Sequence, residues 1–392
     1  MRRTVSTEKL PLYLWLDQLD EDALSQAKNL ANLPFAFHHV ALMADAHVGY
    51  GMPIGGVLAT EGVVIPNGVG VDIGCGMCAV RTGLHGLSHE QLKEMHRALQ
   101  QAIPLGFKHH RRPRNEELMP GLPGGLKLED LPVVAAEFAS ARHQLGTSGS
   151  GNHFMEVQQG SDGHVWLMVH SGSRNLGYQV ANVYNKLAMR MAERGGTRSL
   201  PAKWQLDYLP LDSEDGQRYL REMHYCVAFA RANRREMMAV MQEIVAGLSG
   251  NANFGGAIDV AHNYAAMERH FDREVCVHRK GAIRAGLGEA GIIPGSQGSS
   301  SYIVRGLGKS DAFSSCSHGA GRVMGRKEAQ RQLDLDEELR KLKRLNVVHG
   351  MRSRKDLDEA PGAYKDISQV MANQKDLVEI EVELQPLAVV KG

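Results

Sequence analysis

The chain has 392 residues, of which 43% are hydrophobic and 23% charged, and its formal net charge is +1. This composition is typical of a globular protein with a sizeable core, and it excludes disordered and collagen-like chains. The small net charge also excludes a global field that steers polyanions, although local patches remain open. Five cysteines, an odd number, predict reduced thiols in the cytoplasm, and we expect neither a secretory signal nor a membrane span.

Apolar spacing predicts the main elements. Short apolar runs between glycines predict strands at 63–65, 165–169, 292–293 and 302–304. Three-to-four spacing of apolar residues predicts helices at 180–194 and 217–248. Near the C-terminus, Val378, Ile380, Val382 and Leu384 alternate with glutamates, which predicts a half-solvated antiparallel strand.

The domain organisation follows from where the unusual residues lie. Linkers at 113–132 and 196–216 are only weakly indicated, and they do not separate the candidate site residues, which are scattered from position 45 to 391. The order of elements is mixed rather than alternating. We therefore expect one α+β domain over residues 1–392, and not a doubly wound sheet.

A glycine-rich segment, residues 68–78, places the carboxylate of Asp72 three residues before the thiol of Cys75. Flanking glycines remove side-chain bulk and permit positive φ, so the backbone can fold around an ion. A buried aspartate in a turn beside a structural cysteine is the alternative. Cys78 adds a Cys-x-x-Cys spacing, but a structural zinc site usually needs a second such pair, which the sequence lacks.

Residues 146–153 form a second glycine-rich loop, which offers consecutive amides and hydroxyls to phosphate oxygens. The loop is not a Walker A motif, because no Gly-Lys-Ser/Thr ends it. Since His153 closes it, a metal ligand and a phosphate cradle would be neighbours. Residues 293–301 form a similar loop, and residues 45–51 an acidic one.

Three further histidines stand beside groups that suit phosphate chemistry. His170 closes an expected strand and His262 lies at a helix start or a strand end, and taken alone each fits a structural histidine better. His318 lies among small residues and precedes Arg322, whose guanidinium matches phosphate geometry with two parallel donors. Carboxylate, thiolate and imidazole together suit Mn, Fe or Zn, and metals neutralise phosphate charge during phosphoryl transfer.

Two clusters of positive charge are candidates for binding RNA. Residues 340–355 contain seven Lys or Arg and no acid, and a second cluster comprises Lys108, Arg111, Arg112 and Arg114 with two histidines between them. A solvated helix face or loop is the simpler interpretation of each cluster alone. The sequence does not decide which of the two would contact RNA.

Taken together and in this order, the motifs resemble those of RtcB-type RNA ligases, a family of tRNA splicing and RNA repair. The resemblance covers nearly the whole chain. It rests on Gly-Val-Asp72-Ile-Gly-Cys75-Gly-Met, Gly-Ser-Gly-Asn152-His153-Phe-Met-Glu156, His170-Ser-Gly-Ser-Arg174, His262-Asn-Tyr, Ile-Ile-Pro-Gly-Ser296, Ser-His318-Gly-Ala-Gly-Arg322, Ala-Tyr364-Lys-Asp-Ile and Val-Val-Lys391-Gly.

The resemblance implies two Mn²⁺ ions bridged by Cys75 and a nucleophilic His318, which attacks the α-phosphate of GTP and carries GMP. The implied metal ligands are Asp72, Cys75, His153, His170 and His262. The guanylate would be held by Asn152, Phe154, Glu156, Ser296, Tyr364 and Lys391. We further expect Arg322 to neutralise charge on the phosphate oxygens.

The RNA chemistry implied by the resemblance joins a 3′-phosphate end to a 5′-hydroxyl end. A 2′,3′-cyclic phosphate is first opened, and GMP is transferred to give an RNA-(3′)pp(5′)G end that the 5′-hydroxyl attacks. The single α+β unit of the family agrees with the scattered site. The resemblance leaves open whether the RNA comes from splicing or repair, and whether an archease-type activator is needed.

Two other functions use part of the same residues. A metal-dependent phosphohydrolase acting on terminal or cyclic RNA phosphates would share the metals, but it needs neither a nucleophilic His318 nor a nucleotide-holding Lys391. A non-catalytic RNA-binding protein has no reason to keep five ligand-type residues. The ligase is the favoured interpretation.

One hypothesis about Cys78 is independent of the resemblance. Without metal, Cys75 and Cys78 would form a reversible disulfide under mild oxidant, provided that the loop between them turns. The alternative is that Cys78 is simply a small buried residue.

Overall fold

The computed structural model describes residues 1–194, 200–250 and 253–392. Its α-helices are α1 (Glu21–Ala31), α2 (Pro66–Val69), α3 (His89–Ala102), α4 (Pro132–Gln144), α5 (Arg174–Arg194), α6 (Glu214–Ser249), α7 (Arg326–Gln332), α8 (Leu335–Arg344) and α9 (Ile367–Asn373). Its strands are β1 (Arg3–Val5), β2 (Leu12–Leu14), β3 (Ala36–Tyr50), β4 (Met52–Thr60), β5 (Val63–Val64), β6 (Gly76–Arg81), β7 (Phe154–Gly160), β8 (Val165–Ser171), β9 (Leu209–Pro210), β10 (Ile258–Ala261), β11 (Asn263–His270), β12 (Arg273–Lys280), β13 (Ala282–Arg284), β14 (Ala290–Ile293), β15 (Ser301–Gly306), β16 (Ser315–Ser317), β17 (Val348–His349) and β18 (Val378–Lys391). This mixture confirms the α+β prediction.

Both long helices are confirmed, as α5 and α6. Helix α6 begins where the Ser213 side chain accepts a hydrogen bond from the Gly216 amide at 3.0 Å, and it ends at Gly250, whose φ is +80°. These are the usual signals for the first and last turn of a helix. The expected linker at 113–132 forms single-turn 3-10 helices, and residues 196–199 of the other expected linker lie outside the described residues.

The C-terminal strand is confirmed as β18, which pairs antiparallel with β7 and β15 and parallel with β17. Its predicted alternation is wrong at Ile380, whose side chain is 49% exposed. The pairing with β15 shifts register at this point, because Ile303 faces Val382 while Val304 faces Ile380. Such a bulge inserts one extra residue and redirects the side chains beside it.

Two sheets form the framework. The first has the strand order β1-β2-β3-β4-β12-β11, and the second has the order β10-β6-β8-β7-β18-β15-β14, with β17 added alongside β18. Helix α1 covers one face of the six-stranded sheet, and α3 and α6 cover one face of the eight-stranded sheet. The chain crosses from the second sheet to the first between β10 and β11, and His262 is the residue at this crossing.

The expected acidic loop at 45–51 is wrong. Residues up to Tyr50 belong to β3, and Asp45 is fully buried within this strand. Small neighbours, Ala44 and Ala46, leave room for the sheet to pack closely around the carboxylate. In the part of the chain that the structure describes, no helix is both long enough and apolar enough to cross a membrane.

Candidate active site

Alternation along three neighbouring strands of the eight-stranded sheet decides which side chains face the site. On β8, Leu167 and Val169 pack against α3 and α6, so His170 lies on the opposite face with Trp166 and Met168. The same alternation on β7 puts Phe154 and Glu156 on that face, and on β18 it adds Lys391. Residues far apart in sequence are thus brought together by strand pairing.

Four of the five expected metal ligands are joined by direct contacts. The Cys75 Sγ lies 3.3 Å from the Nε2 of His153 and 3.3 Å from the Nε2 of His170. The His153 Nε2 is also 3.1 Å from the Asp72 carboxylate. His153 is fixed from behind, because its Nδ1 is 2.9 Å from the Ser148 carbonyl oxygen. Since this carbonyl can only accept, Nδ1 carries the proton and Nε2 keeps a free lone pair.

The fifth expected ligand, His262, joins the cluster through His170, with ring centroids 5.3 Å apart. Its backbone N–H donates to the Cys75 carbonyl at 2.8 Å, and its Nδ1 is buried without a hydrogen-bond partner. Burial, reinforced by neighbouring imidazoles, lowers the pKa of His170 and of His262 well below the ordinary value. Both rings are therefore neutral, which is the form that binds metal.

The donor set fits a metal ion. Ligand atoms of Cys75, His153 and His170 all lie within 4.8 Å of one another, and the three residues are buried. Burial and the nearby Asp72 carboxylate raise the pKa of the Cys75 thiol well above the usual value, so the thiol is protonated when no cation is bound. Binding of a cation would therefore release this proton. One thiolate, one carboxylate and neutral imidazoles suit a borderline divalent metal such as Mn²⁺.

A buried arginine on α6 fastens the segments that carry these ligands. Arg234, which is fully buried, donates to the carbonyl oxygens of Gly74 at 2.9 Å and Ser171 at 3.0 Å. Its charge is balanced by two hydrogen bonds to the Asp259 carboxylate, at 2.6 and 2.9 Å. Arg234 therefore fixes the backbone between Asp72 and Cys75 relative to the end of β8.

We expect Asp259→Ala to destabilise the protein by about 3–5 kcal/mol, because it leaves the Arg234 charge buried and uncompensated. Urea unfolding followed by circular dichroism measures this loss. Asp17→Ala is the matched control, since Asp17 pairs with Arg2 at a surface where the two side chains are 54% and 49% exposed. It should cost less than about 1 kcal/mol. Equal losses would contradict the role of Asp259.

Asp45 is a functional residue that the sequence did not reveal. One of its carboxylate oxygens accepts three hydrogen bonds, from the His318 Nδ1 at 2.6 Å and from the amides of His318 and Gly319 at 3.1 and 3.2 Å. Burial alone would raise the pKa of Asp45, but His318 brings it below the usual value. The carboxylate is therefore ionised and accepts the Nδ1 proton, which leaves the His318 Nε2 with a free lone pair.

His318 follows β16 and lies beside the metal cluster, since its ring centroid is 4.8 Å from that of His262. It also borders a cleft with about 830 Å³ of empty space, part of which is open solvent. All the residues expected to hold guanylate line this cleft with His318: Asn152, Phe154, Glu156, Ser296, Arg322, Tyr364 and Lys391. The cleft has the mixed aromatic and polar lining of a small-molecule site.

Two buried carboxyl groups, one lining the cleft and one behind its wall, differ in protonation. Burial raises the pKa of Glu156 to about 8, so this carboxyl is mostly protonated at neutral pH. Its Oε1 is buried without a partner, while its Oε2 accepts a hydrogen bond from the Gln158 amide at 2.8 Å. An unpaired buried oxygen is costly, so Glu156 is prepared for a ligand that supplies donors.

The second carboxyl, Glu359, was not found from the sequence. Lys391 contacts it at 2.9 Å, Arg326 at 3.3 Å, and the Tyr364 hydroxyl donates a short hydrogen bond to it. Burial alone would raise the pKa of Glu359, but Lys391, Tyr364 and Arg322 lower it to about 2. Glu359 therefore organises the side chains on one wall of the cleft.

Arg322 lies in the cleft wall but binds protein groups. Its guanidinium donates to Glu359 at 3.1 Å, to the Asp358 carbonyl at 2.5 Å and to the Met324 carbonyl at 3.0 Å. Its Cζ also lies 5.1 Å from the centre of the Tyr364 ring. This arrangement supports Tyr364 and Glu359, and it leaves few donors for the phosphate contact expected from the sequence.

The glycine-rich loop at 146–153 provides only part of the expected phosphate cradle. The amides of Gly146 and Thr147 donate to the Asn233 side chain at 2.7 and 3.0 Å, and the Ser148 amide donates to the Pro104 carbonyl at 3.1 Å. These three amides are therefore not available to a ligand. The expectation that they bind phosphate is wrong, because Asn233 of α6 accepts from the first two and the Pro104 carbonyl accepts from the third, which fixes the loop under His153.

The disulfide hypothesis for Cys78 is also wrong. Cys75 directly precedes β6 and Cys78 lies within it, so the backbone between them is extended. Extended residues rise about 3.3 Å each, which places the two Cα atoms beyond the roughly 7 Å limit for a disulfide. An odd spacing on a strand also directs the two side chains to opposite faces, and Cys78 packs in the apolar cluster beneath α6.

Comparisons with known proteins agree with this geometry. The family model described as tRNA-splicing ligase RtcB matches residues 26–123 and 121–392. The chain is 38% identical to RNA-splicing ligase RtcB1 of Escherichia coli and 37% identical to RNA-splicing ligase RtcB of strain K12, over 99% of each chain. It is 34% identical to tRNA-splicing ligase RtcB of Thermococcus kodakarensis, over 96% of this chain and 92% of that protein. The chain therefore belongs to the RtcB family.

Proposed function

We propose that this protein is an RNA ligase that joins a 3′-phosphate or 2′,3′-cyclic phosphate end to a 5′-hydroxyl end, using GTP and a GMP–histidine intermediate. The single observation that supports this most is the position of His318. Asp45 orients its ring at 2.6 Å, and the ring lies between the candidate metal cluster and the cleft. The relatives named RNA-splicing ligase and tRNA-splicing ligase support the same function.

His318 is the proposed nucleophile. Its Nε2 attacks the α-phosphorus of GTP, the P–N bond forms, and the bond to pyrophosphate breaks, so no proton has to leave Nε2. Asp45 stabilises the positive charge that develops on the ring by accepting from Nδ1. An RNA 3′-phosphate then takes GMP from His318, and the 5′-hydroxyl of the second RNA attacks this activated phosphate and releases GMP.

Asp72, Cys75, His153, His170 and His262 are the proposed ligands of two Mn²⁺ ions. When bound, the metal neutralises charge on phosphate oxygens. Cys75 is central among these residues because its sulfur contacts two imidazoles at 3.3 Å each. A hydrolase would need the same ligands, but it would have no use for a histidine held by Asp45 at a nucleotide-sized cleft.

Glu156 and Lys391 favour guanine over adenine. They lie on adjacent strands, where Val389 pairs with Glu156 and Lys391 pairs with Phe154. Guanine presents an acceptor at O6 and donors at N1 and N2, which match an ammonium group and a carboxylate respectively, whereas adenine presents a donor at N6. Phe154 and Tyr364 supply aromatic surface for the base, and Ser296 adds a hydroxyl at the rim.

Glu156→Gln is expected to weaken GTP binding about 10- to 100-fold, because one acceptor becomes a buried donor facing guanine donors. In the unaltered protein, guanine stabilises the carboxylate, so binding below pH 8 releases a proton and the affinity for GTP rises with pH towards about 8. Calorimetry of GTP binding in two buffers of different ionisation enthalpy measures how many protons are released on binding. Proton release that persists in the variant would contradict the assignment to Glu156.

The decisive experiment for the proposed function is covalent labelling. The protein is incubated with Mn²⁺ and GTP labelled at the α-phosphate, and the denatured protein is separated on a gel. A label that is lost in acid and maps to the peptide containing His318 is expected, because phosphoramidates are acid-labile. Absence of label together with release of phosphate from a terminal RNA phosphate would instead indicate the hydrolase.

A further inference from the structure

An exposed aromatic residue lies at the tip of a tight turn outside the cleft. Phe107 is 93% exposed, and no other large apolar side chain between residues 100 and 120 is exposed. The turn is closed by a hydrogen bond from the Lys108 amide to the Leu105 carbonyl at 3.2 Å, and Gly106 adopts a φ of +64° within it. This backbone holds the Phe107 ring out into solvent, where an unpartnered aromatic is unfavourable.

The turn is attached to the candidate active site. The Gly106 amide donates to the Gly149 carbonyl at 2.8 Å, and the Gly106 carbonyl accepts from the Arg174 guanidinium at 3.2 Å. Gly149 in turn touches both Arg174 and His153, since a Cβ on Gly149 would lie 2.2 Å from an Arg174 nitrogen and 2.8 Å from the His153 Nδ1. Phe107 is therefore connected to the candidate metal ligand His153 through its neighbour Gly106 and the contact of Gly106 with Gly149.

The residues that follow Phe107 carry unpaired positive charge. Lys108, Arg111 and Arg112 are exposed, and no described carboxylate forms an ion pair with any of them. Arg114 differs, because Glu236 pairs with it at 3.0 Å. We refer to residues 105–112 as the Phe107 turn; it combines one aromatic ring with three free cations at the edge of the site.

The other basic cluster, at 340–355, has acids beside some of its cations. Lys341 pairs with Glu337 and Glu338, and Arg354 lies beside Asp334 and Asp336 around a surface groove. The Asp356 carboxylate accepts hydrogen bonds from the amides of Arg352 and Ser353. The basic cluster at 340–355 therefore attracts a polyanion less strongly than its seven Lys and Arg residues suggest.

We propose that the Phe107 turn binds single-stranded RNA next to the reacting end, with Phe107 stacking on one base and Lys108, Arg111 and Arg112 contacting phosphates. This proposal rests on the proposed ligase function. Base stacking on an exposed aromatic within a basic groove is the common mode of single-strand binding. A docking site for an apolar protein surface would need a larger apolar patch than one ring.

The first test measures equilibrium binding of a fluorescent single-stranded RNA in the absence of GTP, so that no ligation occurs. Phe107→Ala should weaken binding about 5- to 100-fold, and Phe107→Trp should restore it, since tryptophan also stacks. Leu287→Ala is the matched control, because Leu287 is 82% exposed in a turn that contains no cation. Equal affinity of Phe107→Ala and the unaltered protein would overturn the proposal, as would rescue by Phe107→Leu, which is apolar but cannot stack.

A second test locates the base. An abasic nucleotide is moved one position at a time along RNA that carries either a 3′-phosphate or a 5′-hydroxyl end. At one position the abasic nucleotide should weaken binding to the unaltered protein but have no effect on binding to Phe107→Ala. Removing the base and removing the ring abolish the same contact, so the second change costs nothing further. A penalty that is identical in both proteins at every position would exclude a base on Phe107.

A third test compares the two basic clusters. Replacing Arg111 and Arg112 by glutamine should lower the salt dependence of RNA binding by roughly 0.7 per charge, on a plot of log affinity against log salt. Replacing Arg352 and Arg354 by glutamine removes the same charge from the other cluster and should change this slope less. The reverse order would overturn the placement of RNA on the Phe107 turn.

Covalent labelling of each variant with GTP separates this proposal from the proposed function. The Phe107 turn lies outside the nucleotide cleft, so all these variants should form the His318 adduct at the rate of the unaltered protein. If the unaltered protein forms no adduct, the ligase proposal fails. If the adduct forms normally and RNA affinity is unchanged in the Phe107 and arginine variants, only the inference about the turn fails.

Discussion

His318→Ala is expected to form no covalent GMP adduct and to lose ligation entirely, because it removes the imidazole that Asp45 orients between the candidate metal cluster and the cleft. The variant also leaves the buried Asp45 carboxylate without the Nδ1–H donor of His318, so its fold must be checked. His318→Asn is the better probe, since its amide nitrogen can donate to Asp45 in place of Nδ1 while offering no nucleophile. Both variants should still bind Mn²⁺ in calorimetry.

Asp45→Asn provides the matched comparison for His318. It keeps the size of the side chain but removes the charge that fixes the imidazole tautomer, so adduct formation should slow by about 10²- to 10⁴-fold without being abolished. Single-turnover labelling measures this rate. A His318 variant that still becomes labelled, or an unaltered protein whose label maps to a lysine peptide, would refute the assignment of the nucleophile.

The second large effect concerns the metal. Cys75→Ala should lose more bound Mn²⁺ than His262→Ala, because the Cys75 sulfur contacts two candidate ligands at 3.3 Å each whereas His262 joins the cluster only through His170. Elemental analysis after dialysis, or calorimetry, reads the metal content directly and does not depend on ligation.

Cys78→Ser is the control for Cys75, since Cys78 lies three residues away on the opposite face of β6. It should retain the metal at the level of the unaltered protein. Equal small losses from Cys75→Ala and His262→Ala would contradict a bridging thiolate. Unchanged metal content in both variants would remove these residues from the ligand set.

Local motifs were sufficient to predict ligand-type residues that the structure gathers around Cys75, because these residues stand in or beside segments whose composition has a chemical meaning. The residues along the cleft came instead from the resemblance to RtcB-type ligases. Both long helices were predictable for a similar reason, since α6 shows its apolar spacing over its whole length. The sequence failed at Ile380, where β18 carries the extra residue of a bulge opposite β15 and its alternating pattern gives no signal of it.

Asp45 and Glu359 could not be recognised because their roles depend on distant segments. Asp45 becomes the partner of His318 only when β3 of the six-stranded sheet passes beside the end of β16. Glu359 is the last residue of a short 3-10 helix with no motif, and its importance comes from Lys391, Tyr364 and Arg326 converging on it. Such convergence is a property of tertiary packing, which a local pattern does not encode.

The position of β18 has a consequence for synthesis of the chain. It follows every other strand in the sequence, yet it lies in the interior of its sheet, between β7 and β15. Until it emerges from the ribosome, both neighbours present open hydrogen-bonding edges to other nascent chains, which favours aggregation. Because β18 also carries Lys391, which lines the cleft, the cleft is completed only when these edges are closed, so a chain with a complete cleft has already passed its most aggregation-prone stage.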